Sequence, residues 1–204
     1  MFYTKPPTAF LDLNHYINPE LLNERLSGQY LYKYAPVEAV YDNSAPLIKF
    51  LLDQIRLELF KDKFAWTWKR WNWLICDIKI ETLKKGEIPC LPGWHSDCTM
   101  NLSRDGNESH YLFVYGAGCR TEFINEITCI PEVKFDNPHH TKRMYEDLFY
   151  GKQTILLQEG IVYSYDRFGI HRPTRATQDG IRLLIRLTDC SFICPKYEQT
   201  GIFI

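Results

Sequence analysis

Apolar residues in the first third of the chain recur at helical intervals. In SAPLIKFLLDQIRLELFKDKF, the set Leu47, Ile48, Leu51, Leu52, Ile55, Leu57, Leu59 and Phe60 mostly follows a 3.6-residue period. That period predicts an amphipathic helix whose stripe lies against an apolar surface, such as the face of a sheet. INPELLNERLSGQYLY predicts a shorter helix, with Asn18 as N-cap, Pro19 at the first helical position and Gly28 where it stops. From about residue 71 the period shortens to two. WNWLICDIKIETLKKG sets Ile78, Ile80 and Thr82 against Asp77, Lys79 and Glu81, the alternation of a half-buried strand. HYLFVYGAGCRTEFINEITCI, after the polar turn SRDGNES, predicts two or three short strands. QTILLQEGIVYSYD predicts a pair joined at Glu159-Gly160, and IRLLIRLTDC one more.

Helices followed by about eight short strands predict a mainly β (α+β) fold, a helix-supported sandwich, jelly roll or barrel. The 204 residues show no repeat and no linker-like composition shift, so one domain is expected: residues 1–70 as helical support, about 71–190 as β core. The stretch 131–152 is too long for a hairpin loop and is expected to act as a lid or binding loop. With 24 basic and 25 acidic side chains, the chain lacks the basic footprint of a nucleic-acid binder. No apolar run is long enough to span a bilayer, and MFYTKPPTAF lacks the basic and apolar regions of a secretory signal, so a soluble, cytoplasmic protein is expected. Seven cysteines without a CxxC fit reduced, buried thiols better than a disulfide framework.

The candidate chemistry begins in LPGWHSDCTM. His95 and Asp97 stand two apart in an extended segment, so both project to one side and can reach one ion. A third ligand is offered by His171 in YDRFGIHRPTRATQDGIRLLIRLT, which a barrel would bring back beside the early strands. Two imidazoles and one carboxylate occupy one face of an octahedron and leave three positions open, a set suited to Fe(II) that must also bind an organic chelator and dioxygen. Further on, Arg182, Leu184, Arg186 and Thr188 share one face of a strand, with Ile181, Leu183, Ile185 and Leu187 on the other. Buried guanidinium groups need carboxylate partners, so a carboxylate is expected inside, and a dicarboxylate could bridge metal and arginine. His139-His140 read as a solvated loop, while His15 and His110 carry no functional signal. Cys98 lacks any sign of a nucleophile's setting, and GAGC lacks the third glycine of a phosphate loop. Trp66, Trp68, Trp71 and Trp73 read as core packing, and Trp94, beside His95, as a pocket wall.

Taken together, His95-Ser96-Asp97, GCRTEF at 118–123 and EGIVYSYDRFGIHRPTRATQDGIR resemble the Fe(II)- and 2-oxoglutarate-dependent dioxygenases, especially the prolyl-hydroxylase-like branch, over about residues 71–190. The resemblance implies a double-stranded β-helix (jelly roll) with helices on its major sheet. It implies iron on His95, Asp97 and His171, and the distal carboxylate of 2-oxoglutarate on a basic residue of the last long strand. Arg182 stands one position beyond the family's commonest spacing, and Arg186-Leu187-Thr188 offers a competing pattern. Gly180 favours Arg182, in which case Arg186 faces substrate or pairs with an acid. Cys119 replaces the second glycine of the family's strand motif. Tyr111 and Tyr115 are either phenol donors to the same carboxylate or core aromatics.

The implied activity is hydroxylation or desaturation of an unactivated C–H bond in a small molecule, amino acid or peptide side chain, consuming O2 and 2-oxoglutarate and releasing succinate and CO2. Retention of Asp97, which halogenating members replace by a small residue, argues against halide transfer. Two other readings remain: a cupin-type metal enzyme without 2-oxoglutarate, disfavoured by HxD in place of HxH and Glu, and a non-catalytic β-barrel module contacting partners through 131–152.

Overall fold

The computed structural model describes residues 2–61, 74–89, 92–97, 109–130, 145–189 and 198–204. The expected stripe forms α3, Pro46–Phe60, burying Leu47, Ile48, Leu51, Leu52 and Ile55. The shorter helical stretch begins as a 3-10 turn at Pro19–Leu21, where the Asn18 side chain accepts from the Glu20 amide at 2.9 Å. It continues as α1, Leu22–Leu26, and ends before Gly28, whose φ of +78° is a left-handed value that glycine tolerates without a Cβ penalty. A further short helix, α2 at Val37–Asp42, lies between them and α3 in sequence.

The first third is not only helical. It also supplies β1 (Phe2–Tyr3), β2 (Thr8–Asp12) and β3 (Tyr30–Pro36). The second part adds β4 (Leu74–Leu83), β5 (Ser109–Tyr115), β6 (Thr121–Ile124), β7 (Cys129–Ile130) and β8 (Thr154–Leu156). After these come β9 (Ile161–Asp166), β10 (His171–Pro173), β11 (Gly180–Asp189) and β12 (Glu198–Ile202). Among the described strands a seven-stranded sheet runs β12-β3-β4-β11-β5-β9-β2, a three-stranded sheet runs β10-β6-β8, and β1 pairs with β7. All these pairings are antiparallel. The protein is therefore mainly antiparallel sheet with few helices. A division near residue 70 into support and core does not describe it, because β3 sits between β12 and β4 inside the large sheet.

Two apolar layers result. The helices cover one face of the large sheet, where α3 joins Ile78 and Ile80 of β4, Phe113 of β5, Val162 of β9, and Leu183, Ile185 and Leu187 of β11 in one cluster. The other face meets the small sheet through Leu112, Val114, Tyr163 and Tyr165 against Phe123 and Ile155. β8 and β9 do not pair with each other as a hairpin would. After Leu156 the chain turns at Glu159-Gly160 and passes from the small sheet to the large one. Gly160 holds φ +76°, and a Cβ there would stand 2.0 Å from Asn14 Oδ1, so the crossing needs glycine.

Sandwiching also changes the meaning of the alternation in β4. Asp77 is only 1% exposed, so the strand's polar side faces the space between the sheets rather than water. Part of the stretch 131–152 lies outside the described residues. Its final portion is no free loop, since Tyr145 and Phe149 are buried against Trp94, Ile124, Ile130 and Ile170. Among the described residues no helix is long and apolar enough to cross a membrane.

Two outcomes follow from this packing. Ile55→Ala, at a fully buried position on α3, lowers the unfolding free energy by about 2–5 kcal/mol, whereas Leu57→Ala, 60% exposed on the same helix, stays within about 0.5 kcal/mol; urea titration compares them. His110, 0% exposed between the sheets with Nδ1 3.0 Å from Thr188 Oγ1, has its pKa pushed down to about 3. Burial is the main cause; Arg186 and His171 add to it, and Asp97 opposes it. The unfolded imidazole titrates near pH 6.5, so below that value unfolding takes up a proton, and stability is full above it and falls as the pH drops toward 3. The urea midpoint therefore declines between pH 7 and 5, and His110→Gln flattens part of that decline; an unchanged slope in the variant refutes the assignment.

Candidate metal centre

Two stretches far apart in sequence meet at the open side of the sandwich. The His95 amide donates to the His171 carbonyl and the His171 amide to the His95 carbonyl, each at 2.9 Å, an isolated antiparallel bridge. Their rings lie with centroids 4.5 Å apart. In each imidazole Nδ1 is 2.9 Å from the carbonyl oxygen two residues earlier, Gly93 for His95 and Gly169 for His171. A carbonyl only accepts, so Nδ1 carries the hydrogen, and in the neutral ring Nε2 presents a lone pair. Burial, and next the neighbouring His171, push the His95 pKa down to about 4, so His95 is neutral at pH 7.

Asp97 completes the group. The ligating atoms of His95, Asp97 and His171 lie within 4.8 Å of one another, and His171 Nε2 is 3.2 Å from Asp97 Oδ2. Burial by itself would raise the Asp97 pKa, but Arg186 and then His171 outweigh it and hold the carboxyl well below the usual range. Oδ2 accepts from the Tyr165 hydroxyl at 2.5 Å, and Oδ1 is in contact with Arg186 Nη1. Burial first, and then the Asp97 charge, keep the Tyr165 pKa well above 10, so the phenol stays a donor.

The inner face of β11 carries both arginines, as the alternation required. The carboxylates expected inside come from β4, and Arg186 takes one of its two expected roles, pairing with an acid. Register sets Arg186 opposite Asp77 and Arg182 opposite Glu81. Arg186 donates Nε at 2.9 Å and Nη2 at 2.5 Å to Asp77 Oδ2, which with Asp97 leaves it spanning two acids. Arg182, 1% exposed, donates Nη1 to Glu81 Oε2 at 3.1 Å, while its buried Nε has no partner. Both arginines line the same cavity as His95, Asp97 and His171, with Lys79 and Thr121 beside them.

Several other candidates fall elsewhere. Tyr111 and Tyr115 lie on the face of β5 away from the cavity, packed against the helix-side cluster, which is their reading as core aromatics. Tyr165 on the adjacent β9, paired with His110 and stacked on it at 5.0 Å, is the phenol that reaches Asp97. Only the strand register reveals this, since nothing local separates Tyr165 from the other tyrosines. Trp94 is not among the described residues that line this cavity; it packs edge-on against Phe149 and carries the Arg172 guanidinium 4.2 Å above its ring. Cys98, His139, His140, Trp66, Trp68, Trp71 and Trp73 lie outside the described residues.

No protein-family model matches the chain, and no curated protein matches it. Among solved structures it is similar to the non-heme monooxygenase ThoJ in its nickel complex, at 13% identity and TM-score 0.42, covering 98% of this chain and 76% of that one. The apo form of ThoJ gives 14% identity and TM-score 0.40 over the same shares. An N-substituted L-amino acid dioxygenase from Burkholderia ambifaria, in complex with alpha-KG, gives 13% identity and TM-score 0.36, covering 68% of this chain and 63% of that one.

Proposed function

We propose that the protein is a non-haem Fe(II)- and 2-oxoglutarate-dependent oxygenase acting on a C–H bond, with the two packed sheets as the walls of a double-stranded β-helix. One observation carries the reading. Nε2 of His171 lies 3.2 Å from an Asp97 carboxylate oxygen while its Nδ1 is held at the Gly169 carbonyl, so the ring edge that can ligate a metal is turned toward the carboxylate. His95 offers a lone pair at the same place. The donor set of two imidazoles and one carboxylate suits Fe(II) with open positions.

The residues divide the work as follows. His95, Asp97 and His171 would hold the metal, their rings oriented by the Gly93 and Gly169 carbonyls. Tyr165 and Arg186 fix the Asp97 carboxylate from both oxygens, so its orientation does not depend on the ion. Arg186, already spanning Asp77 and Asp97, is a poor anchor for a further anion. Arg182 keeps an unsatisfied buried Nε on the cavity wall, which supports it as the anchor for the distal carboxylate of 2-oxoglutarate. When bound, iron and 2-oxoglutarate supply dioxygen activation coupled to decarboxylation of the 2-oxo acid to succinate and CO2. Apolar Leu112, Leu184 and Pro173 beside these charges exclude water from the reacting end.

Purified protein is expected to bind one equivalent of Fe(II) and convert 2-oxoglutarate to succinate. His95→Ala or Asp97→Ala weakens metal binding by at least the roughly 10–100-fold that loss of even an outer-shell partner costs, with succinate formation lost in parallel. Protein that binds neither iron nor 2-oxoglutarate overturns the reading. Arg182→Leu removes a charge-assisted contact of about 1.5–3 kcal/mol, so the 2-oxoglutarate Kd rises about 10–150-fold while metal affinity holds; titration calorimetry separates the two.

A further inference from the structure

Among the described residues the cavity contains one cation that the assignment above leaves idle. Lys79 projects from β4 on the same side as Asp77 and Glu81, directly across from Leu184, which stands between Arg182 and Arg186 on β11. Its half-buried side chain lines the cavity with Arg182 and Arg186. Both arginines have carboxylate partners; Lys79 has neither a hydrogen bond nor an ion pair among the described residues. A lysine stem extends a flexible point charge, so its ammonium can meet an anion lying over Leu184 without moving the backbone.

We propose that Lys79 is a second cationic anchor for the dicarboxylate and the residue that makes the site require two negative charges rather than one; this rests on the oxygenase reading. The argument is a count of charges in a space that water screens poorly. Among the described residues the three carboxylates Asp77, Glu81 and Asp97 match the three cations Lys79, Arg182 and Arg186 in number, and an imidazole that ligates a metal is neutral. A divalent ion on the three ligands then leaves two positive charges uncompensated, and such charges are costly at low dielectric. A dianionic chelator restores neutrality. Without Lys79 the walls would carry one net negative charge, the loaded site one positive, and a 2-oxo acid with a single carboxylate would suffice. Lys79 is placed to act on the anion: the path from the metal ligands near Arg186 to Arg182 runs over Leu184, with Lys79 on the β4 side and apolar Val114 on the β5 side.

The experiment uses the whole protein loaded with Ni(II), which takes the same ligands without turnover, titrated calorimetrically with 2-oxoglutarate and with 2-oxovalerate. The second ligand has the same five-carbon chain and 2-oxo acid head but no distal carboxylate. Wild type is expected to prefer 2-oxoglutarate. Lys79→Met, which retains the stem and breaks no hydrogen bond or ion pair among the described residues, raises the 2-oxoglutarate Kd by about tenfold or more, the loss of one charge-assisted contact. It leaves 2-oxovalerate within about twofold, so the preference collapses by a similar factor. Lys79→Arg keeps the charge and keeps the preference. A Lys79→Met protein with the wild-type ratio of the two affinities, or one that loses both ligands equally, overturns the anchor. Wild type that shows no preference for 2-oxoglutarate instead brings down the oxygenase reading itself, so the two failures are told apart.

Discussion

Two guanidinium groups between packed sheets must each find a carboxylate, and the register of β11 against β4 brings the carboxylates to them. Arg186 stands across from Asp77 and Arg182 across from Glu81, in directly opposed positions where side chains lie closest. A slip of one residue would turn the arginines toward α3 and set Ile185 and Leu183 among the acids, exchanging the apolar and charged faces. The same register that buries Leu183, Ile185 and Leu187 under the helices therefore builds a charged inner wall. Hydrophobic burial and the electrostatics of the site are two sides of one strand.

That wall explains how a cluster of ionisable groups is tolerated inside the molecule. Buried charges are costly singly, and each here has a countercharge within reach. Asp77 neutralises Arg186, which in turn meets Asp97, so the carboxylate of the candidate centre is held by a neutral pair rather than by an isolated cation that would repel a metal. Tyr165 adds a neutral donor on the other oxygen.

How much of this was readable in advance depended on whether a feature was local. The α3 stripe, the alternation of β4 and β11, and the shared side of His95 and Asp97 are set by the period of the backbone, and they appear as expected. The pairing of β3 into the large sheet and the passage of β8 and β9 to different sheets depend on contacts distant in sequence, and short periodic windows carry no record of them. The same holds within the site. The need of the arginines for acids followed from burial energetics, yet Asp77 and Glu81 became identifiable only once β4 was known to be the neighbour of β11. The phenol at Asp97 comes from Tyr165, while Tyr111 and Tyr115 sit on the other face of their strand among the core aromatics, a distinction of a single residue in strand phase.

The reciprocal main-chain bonds between His95 and His171 have a kinetic consequence. Because each imidazole is tethered to the carbonyl two residues before it and the two segments are bridged at these very residues, neither ring turns without breaking its own hydrogen bond. An ion at this place would be held by ligands that move with the backbone bridge rather than by freely turning rotamers. Its residence time would then depend in part on local opening of that bridge, and an occupied centre would in turn oppose the opening.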